Sequence, residues 1–338
     1  MGKIAKKKGI FFTFIAILIM TVFILVLVPQ ADVSLQKDAQ AISTKIGTVD
    51  NYIVILEDSY FETVLRATTL KTLLSLAFYA NSTGKFLTDF DSSFSEIMIN
   101  GTINKVPVDS ITRKKIMDNS TLINWSNAVA ETAKSTYNVN TTIVIINVSV
   151  NQTDPWSVTS KLSLNITVKS SVAEWKRSKT IQTKLSLEAL PDPYYLVNTV
   201  YTNDLYDKRI KQSGIPFDVW NISQVRITLR NSTYVYWKSA KAPSYLMRFV
   251  NNTNSSECCG IESLVDPNKI SPSDQRDSYV DYLFWPHTYN PIANCTKIYN
   301  ITNPATGGGI WDEFRYFKLD IDHVVLYNVT SNDAVRNC

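Results

Sequence analysis

The most restrictive feature of the chain is an uninterrupted apolar run at residues 10–28, IFFTFIAILIMTVFILVLV, which contains no charged side chain. As a helix, a run of this length rises roughly 28 Å, close to the ~30 Å of a bilayer's hydrocarbon core. Four lysines lie within residues 1–9, and positively charged flanks of a membrane segment stay on the cytoplasmic side. We therefore predict a single-pass protein of the cell membrane, with a cytoplasmic tail at 1–9, a transmembrane helix at 10–28 and the remainder outside.

The charge balance argues against a nucleic-acid partner. The chain has 34 Lys and Arg against 30 Asp and Glu, and the four lysines of the tail account for the whole net charge of +4. The remainder is neutral overall and has no long basic run of the kind that binds phosphate backbones.

Asn-X-Ser/Thr sites are abundant, at roughly three times the number expected by chance, and none precedes residue 81. Asn294 is the poorest candidate because Cys295 occupies the middle position. We predict N-glycosylation at Asn81, Asn100, Asn119, Asn124, Asn140, Asn147, Asn151, Asn165, Asn221, Asn231, Asn251, Asn254, Asn300 and Asn328. A composition that is simply rich in Asn, Ser and Thr is the alternative explanation.

A long stalk helix is predicted at residues 29–84. Apolar residues recur at alternating spacings of three and four from Leu35 to Ala77, and Gly84 marks the helix end. Pro29 should break or kink the helix where it leaves the membrane. Apolar residues on more than one side favour packing of the helix on a sheet of the same chain, although a self-associating coiled coil also fits.

Three successive runs of alternating polarity, at 143–151, 156–168 and 179–189, predict an antiparallel meander with one wet face. In the first run, Val144, Ile146, Val148 and Val150 would share the dry face. In the same pattern Asn147, Asn151 and Asn165 fall on the wet face, where glycans could be attached.

After residue 190 the pattern loosens, and short strands are plausible at 224–230, 233–238, 244–250 and 314–329. The predicted fold class is α+β: a transmembrane and stalk helix packed on an antiparallel meander, followed by a β-rich distal domain with disulfides. The predicted divisions after the stalk are an α+β domain at 85–195 and the distal domain at 196–338.

All four cysteines, Cys258, Cys259, Cys295 and Cys338, lie in the distal region, and disulfides suit an oxidising exterior. A bridge between adjacent cysteines needs a strained small ring. We therefore predict that Cys295 and Cys338 each pair with one of the other two. The spacing does not match known zinc frameworks, so no metal is expected.

No motif identifies an enzyme. The two histidines, His287 and His323, lie in no paired metal-binding spacing, and phosphate-binding loops and nucleophile elbows are absent from the sequence. Asp320 and Asp322 form an Asp-X-Asp pair like that of metal-dependent glycosyltransferases. In an apparent strand, both side chains would share one face, which a solvated strand explains equally well. We predict no catalytic residues and no cofactor.

The start of the chain resembles archaeal type IV pilin-like proteins. Lys6-Lys7-Lys8-Gly9 followed by Ile10-Phe11-Phe12 is similar to their class III signal. The resemblance implies cleavage between Gly9 and Ile10, after which the apolar helix stays on the mature subunit. Phe14 stands where bacterial pilins usually carry Glu. An uncleaved anchor is the alternative, and the mass of the mature N-terminus separates the two.

These observations predict a membrane-anchored, N-glycosylated structural or adhesive surface protein, pilin-like and archaeal. Its partners would be the lipid bilayer, copies of itself through the N-terminal helix, and an extracellular glycan or protein. Two alternatives remain: an anchored recognition domain that binds a glycan or a protein without polymerising, and a type II membrane enzyme similar to glycosyltransferases.

Overall fold

The computed structural model describes residues 5–199, 208–216, 220–237, 241–270, 277–286, 298–301, 314, 317–329 and 334–336. The chain is of mixed helix and sheet. The helices are α1 (Ala5–Ile55), α2 (Phe61–Thr83), α3 (Phe90–Asn100), α4 (Val108–Thr112), α5 (Leu122–Tyr137), α6 (Pro193–Thr199), α7 (Ile222–Asn231), α8 (Tyr245–Arg248), α9 (Asp281–Phe284) and α10 (Ile321–Leu326).

The strands form four small antiparallel sheets. The largest has the order β3-β4-β5, and a second three-stranded sheet has the order β10-β8-β9. The strands are β1 (Thr102–Ile103), β2 (Val106–Pro107), β3 (Asn140–Asp154), β4 (Ser157–Lys169), β5 (Glu174–Ser186), β6 (Tyr234–Val235), β7 (Glu262–Ser263), β8 (Ile298–Ile301), β9 (Lys318–Asp320) and β10 (Ala334–Arg336).

The structure contradicts the predicted membrane-spanning segment. In the part of the chain that is described, no helix is long and apolar enough to cross a membrane. The predicted single-pass location and the transmembrane part of the predicted fold class are therefore wrong.

The long N-terminal helix packs on the sheet only in its later part. The chain is helical from Ala5 through Pro29 to Thr83, interrupted by one π-helical turn at Leu56–Tyr60, and α2 ends at Gly84 in a left-handed conformation. α2 lies across β4 and β5. Burial of its apolar face between the other helices and the sheet makes this region the larger of two hydrophobic cores.

The π-helical turn rotates the buried face of the helix away from the predicted stripe. Val49 and Ile53, before the turn, are buried as predicted, whereas Ala67 and Leu70, after it, are exposed. A π-turn inserts one extra residue, which shifts every later side chain by one position around the helix. The buried face after the turn is formed by Val64, Leu65, Thr68, Thr69, Thr72, Leu73, Ser75, Leu76, Ala77 and Ala80.

The meander has the predicted strand order but not the predicted face in its first strand. A register shift lies between Ile145 and Asn147, opposite β4. Such a β-bulge reverses which side chains face the core, because side chains alternate with a period of two. Consequently Val148 and Val150 are buried as predicted, whereas Val144 and Ile146 are exposed.

Two of the four strands predicted in the distal region are helical in the described residues, whereas 233–238 contains β6 and 314–329 contains β9 followed by α10. Segment 224–230 is part of helix α7, and segment 244–250 contains helix α8, where strands were predicted. Helix α7 begins because the Asn221 side chain accepts a hydrogen bond from the Ser223 amide, and Val225 and Leu229 then lie one turn apart on the buried face. The aromatic residues of this region form the second core.

The consequence of the bulge can be tested with two valine variants in one strand. Val148 is 6% exposed and Val144 is 50% exposed. We expect Val148→Ala to lower the free energy of unfolding by about 2 kcal/mol, because two buried methyl groups are lost. Val144→Ala should change it by less than about 0.5 kcal/mol. Chemical denaturation measures both, and equal losses would contradict the register described above.

Candidate functional site

The first candidate site lies in the first half of α1, at residues 13–24, which we call the apolar segment. Its large apolar side chains are exposed, up to 66% for Ile17 and 71% for Met20. At about 100° per residue, these side chains cover every side of the helix and leave no polar stripe. An apolar rod of this kind is stable in water only when something covers it.

The two threonines of the apolar segment do not make its surface polar. The Thr21 hydroxyl donates a 2.7 Å hydrogen bond to the carbonyl of Ile17, one turn earlier in the same helix. The backbone groups are paired within the helix. The surface offered by the segment is therefore hydrocarbon, and it offers no charge with which to attract a polar partner.

The predicted processing residues lie in the same helix. Gly9 and Ile10 belong to the first turns of α1, so the bond that a prepilin-type peptidase would cut is in helical backbone. Cleavage there would leave the apolar segment at the start of the mature chain.

The predicted glycosylation sites all lie at the surface of the described chain. None of the fourteen asparagines is buried, and three of them, Asn81, Asn124 and Asn300, are partly covered. Asn147, Asn151 and Asn165 are exposed together on the wet side of the meander. Asn294, the weakest candidate, lies outside the described residues.

The predicted disulfide pairing is corrected. Cys258 and Cys259 are joined to each other, although they are adjacent in sequence, with their Cα atoms 3.8 Å apart. The sequence analysis missed the Cys258–Cys259 bridge because it excluded the small ring that adjacent cysteines form. The predicted partners, Cys295 and Cys338, lie outside the described residues, as does His287.

A second candidate site is a buried cluster of charges in the distal region, which we call the ionic centre. The Arg248 guanidinium is fully buried, and its Nη1 atom lies 2.7 Å from an Asp192 oxygen and 2.8 Å from an Asp281 oxygen. Its Nη2 atom donates to the carbonyl of Ile261. Three separate segments are therefore held together by one side chain.

The carboxylates of the ionic centre have further donors. The Tyr234 hydroxyl donates a 2.7 Å bond to Asp192, and the amide and hydroxyl of Ser263 donate to Asp281. Burial raises the pKa of Asp192 against the opposing effect of the Arg248 charge. A buried charge without its partner is costly, so each member depends on the others.

Lys208 is a further buried cation next to the ionic centre. Its ammonium lies 2.9 Å from the carbonyl of Leu264 and 3.2 Å from the hydroxyl of Tyr195, and it is 2% exposed. Complete burial lowers the pKa of Lys208 to about 7, and attraction by Asp281 and Asp192 opposes only part of that effect.

His323 forms a second buried group of charges nearby. Its Nδ1 atom lies 2.7 Å from an Asp320 oxygen, and its Nε2 atom lies 3.2 Å from Glu262. Burial alone would lower the pKa of His323, but the carboxylates of Glu262 and Asp320 outweigh burial and raise the pKa to about 10. The imidazole is therefore a cation at neutral pH and a poor general base.

This geometry argues against the two catalytic arrangements that the residue types suggest. Ser278 donates a 2.6 Å bond to Asp320 and not to His323, so His323 is not placed to act as a base on Ser278. Asp320 is buried at the N-terminus of α10, whereas Asp322 is exposed in its first turn. The predicted shared strand face for the two aspartates is therefore wrong. The described residues contain no cluster of metal-ligating side chains.

Comparison of the chain with protein-family models, with curated proteins and with solved structures finds no match.

The ionic centre and the buried group around His323 predict opposite pH dependences for two variants. His323 has a folded pKa of about 10, above its ordinary 6.5, so its stabilising effect is full below pH 6.5 and is lost as the pH rises through 10. Lys208 has a folded pKa of about 7, below its ordinary 10.5, so its charged form is costly at low pH and stability rises from pH 7 to 10.5. In the unmodified chain the two trends oppose each other.

In Lys208→Met only the His323 trend remains, and we expect the free energy of unfolding to fall from pH 7 to pH 10. In His323→Gln the Lys208 trend is no longer opposed by His323, and the free energy of unfolding should rise from pH 7 to pH 9, below the range in which the raised pKa values of buried tyrosines lower it. Urea denaturation at a series of pH values measures both slopes. Slopes of the same sign in the two variants would contradict this description of the centre.

Proposed function

We propose that the chain is a structural, glycosylated subunit that assembles with copies of itself through the apolar segment, in the manner of a pilin-like protein. The observation that carries this proposal is the exposure of apolar side chains on all sides of residues 13–24. In the other described residues most large apolar side chains are buried in two cores and the exposed ones are scattered, whereas those of this segment follow one another along the helix.

Copies of the same helix suit this surface better than a single different partner. A narrow apolar stripe matches one neighbouring helix, whereas a helix that is apolar all round is buried at the centre of a bundle. Each large side chain that leaves water completely contributes about 1.5–3 kcal/mol. Several neighbouring copies would cover all sides of each helix, and the absence of charge removes electrostatic repulsion between like helices.

The middle of α1 would separate the bundle from the folded body. The helix continues from the apolar segment to Val49, which is the first of the described side chains to be buried in the larger core. About 25 residues of helix correspond to roughly 38 Å. Ile42 in this connection is 45% exposed, so the same chain covers the predicted seam only in part at this position.

The predicted glycans fit the same role. They would coat the body and leave the apolar segment free, because the predicted asparagines start at Asn81 and none is buried. Sugars on the wet face of the meander would keep neighbouring bodies soluble and apart, while the helices hold the subunits together.

The assembly can be tested with one charge in the apolar segment. We expect the full-length chain to sediment as large assemblies in analytical ultracentrifugation and to form filaments in electron micrographs. Met20→Glu should shift it to monomers, because a buried, unpaired carboxylate opposes packing by several kcal/mol. Val54→Glu is the matched control: Val54 lies on the same helix and is 52% exposed, but it is outside the segment.

Monomers of the unmodified chain at all concentrations would overturn the proposal, and so would undiminished assembly of Met20→Glu. Phosphatidylcholine vesicles form a further arm of the same experiment. Sedimentation with vesicles and no assembly in their absence would assign the segment to lipid and not to copies of the chain.

The pilin-like part of the proposal makes a separate prediction about processing. Protein isolated from its native cells should begin at Ile10, because the motif Lys6-Lys7-Lys8-Gly9 would direct cleavage after Gly9. Intact-mass measurement identifies the first residue. A chain that begins at residue 1 or 2 would remove the resemblance to pilin-like processing and leave the assembly proposal to its own test.

A further inference from the structure

A cleft of about 300 Å³ lies where the β3–β4 turn meets the distal region. One wall is Trp156, which belongs to the turn. The opposite walls are the segment 212–216 and the segment 234–237 that contains β6. The volume lies at the lower end of the range for small-molecule sites, which suits a ligand of one or two rings.

The chemistry of the lining is aromatic and polar but uncharged. Trp156, Tyr234, Tyr236 and Trp237 supply aromatic rings, and Gln212 supplies an amide. None of the described residues that line the cleft is Asp, Glu, Lys, Arg or His. A charged ligand would lose its hydration here without gaining a countercharge from these residues, so this lining disfavours phosphates and carboxylates.

Polar groups at the edge of the cleft are open to a ligand. The Trp156 indole and the Tyr236 ring are only partly buried, and neither the indole N–H nor the phenol hydroxyl is hydrogen-bonded to any described residue. A purely apolar ligand would cover these donors and leave them unpaired, which is costly. The ligand should therefore offer both apolar faces and hydroxyl groups.

The cleft is held in shape before any ligand binds. The Trp156 amide donates a 2.9 Å bond to the Asp154 side chain, which fixes the turn. On the other wall, Tyr234 is tied through its hydroxyl to Asp192 of the ionic centre, and the rings of Trp237 and Trp220 pack edge to face at 4.8 Å. A preformed site keeps the ordering cost of binding small.

From this geometry we infer that the cleft binds a neutral carbohydrate of one or two sugar units, with Trp156 stacking on a sugar ring. Sugar rings have apolar C–H faces that pack on aromatic side chains and hydroxyl groups that hydrogen-bond to amide, indole and phenol groups. This inference is independent of the assembly proposal, because the cleft lies in the folded body and uses no residue of α1.

The test is isothermal titration calorimetry of the full-length chain with a panel of methyl glycosides of glucose, galactose, mannose and N-acetylglucosamine, and with cellobiose and lactose. At least one neutral sugar should bind saturably. Glucuronic acid should bind about tenfold more weakly than glucose or not at all, since its carboxylate would find no countercharge.

Trp156→Ala should weaken binding about tenfold, the scale of one lost aromatic contact. Trp175→Ala is the matched control: Trp175 is a partly buried tryptophan of the same sheet, and its indole N–H is bound to Asp50 outside the cleft. Tyr236→Phe keeps the ring and removes only the hydroxyl, so it should weaken binding about threefold. If Trp156→Ala does not fold, the affinity of Tyr236→Phe tests the inference in its place.

Absence of saturable binding across the panel would overturn the inference. So would unchanged affinity in both Trp156→Ala and Tyr236→Phe, or an equal loss of affinity in Trp175→Ala.

Discussion

The distal half of the chain depends on one buried guanidinium. Arg248 binds Asp192, which follows the meander in sequence, and Asp281, which begins α9. A buried cation that attracts two carboxylates from distant parts of the sequence favours one arrangement of those parts, because any other leaves charges in a medium of low dielectric constant. The strands here are only two to four residues long and could not impose that arrangement alone.

The ionic centre also connects the two cores. Tyr234 belongs to the larger core, and its hydroxyl binds Asp192, whereas Tyr195 belongs to the smaller core, and its hydroxyl is bonded to Lys208 and Ser263. Fully buried polar groups with several partners each are positioned more narrowly than apolar side chains, which pack equally well in several ways. Tyr234 also forms part of the cleft wall, so its hydrogen bond to Asp192 holds that wall in position as well.

Sequence patterns predicted the parts of the fold that rest on regular repetition. The alternation in β4 gives the correct buried face, from Val158 to Val168, and Gly84 marks a true helix end. The predictions fail where a single residue is inserted into a helix or a strand, and where the helices and strands are short. A π-turn and a β-bulge each add one residue, which no periodic pattern reveals, and α7 depends on a local cap at Asn221. Arg248 could not be recognised as a buried centre, because its partners come from distant segments of ordinary composition.

The π-helical turn at Leu56–Tyr60 has a consequence for any assembly of this chain. Since one residue corresponds to about 100° around a helix, the turn fixes the azimuth of the folded body relative to the apolar segment. In a bundle of parallel helices, that angle determines which side of each body looks outward and which side meets its neighbour. Loss of one residue from the turn would rotate each folded body by about a quarter of a revolution around the helix axis. The outer surface of the assembly would then change, whereas the bundle of apolar segments at its centre would stay the same.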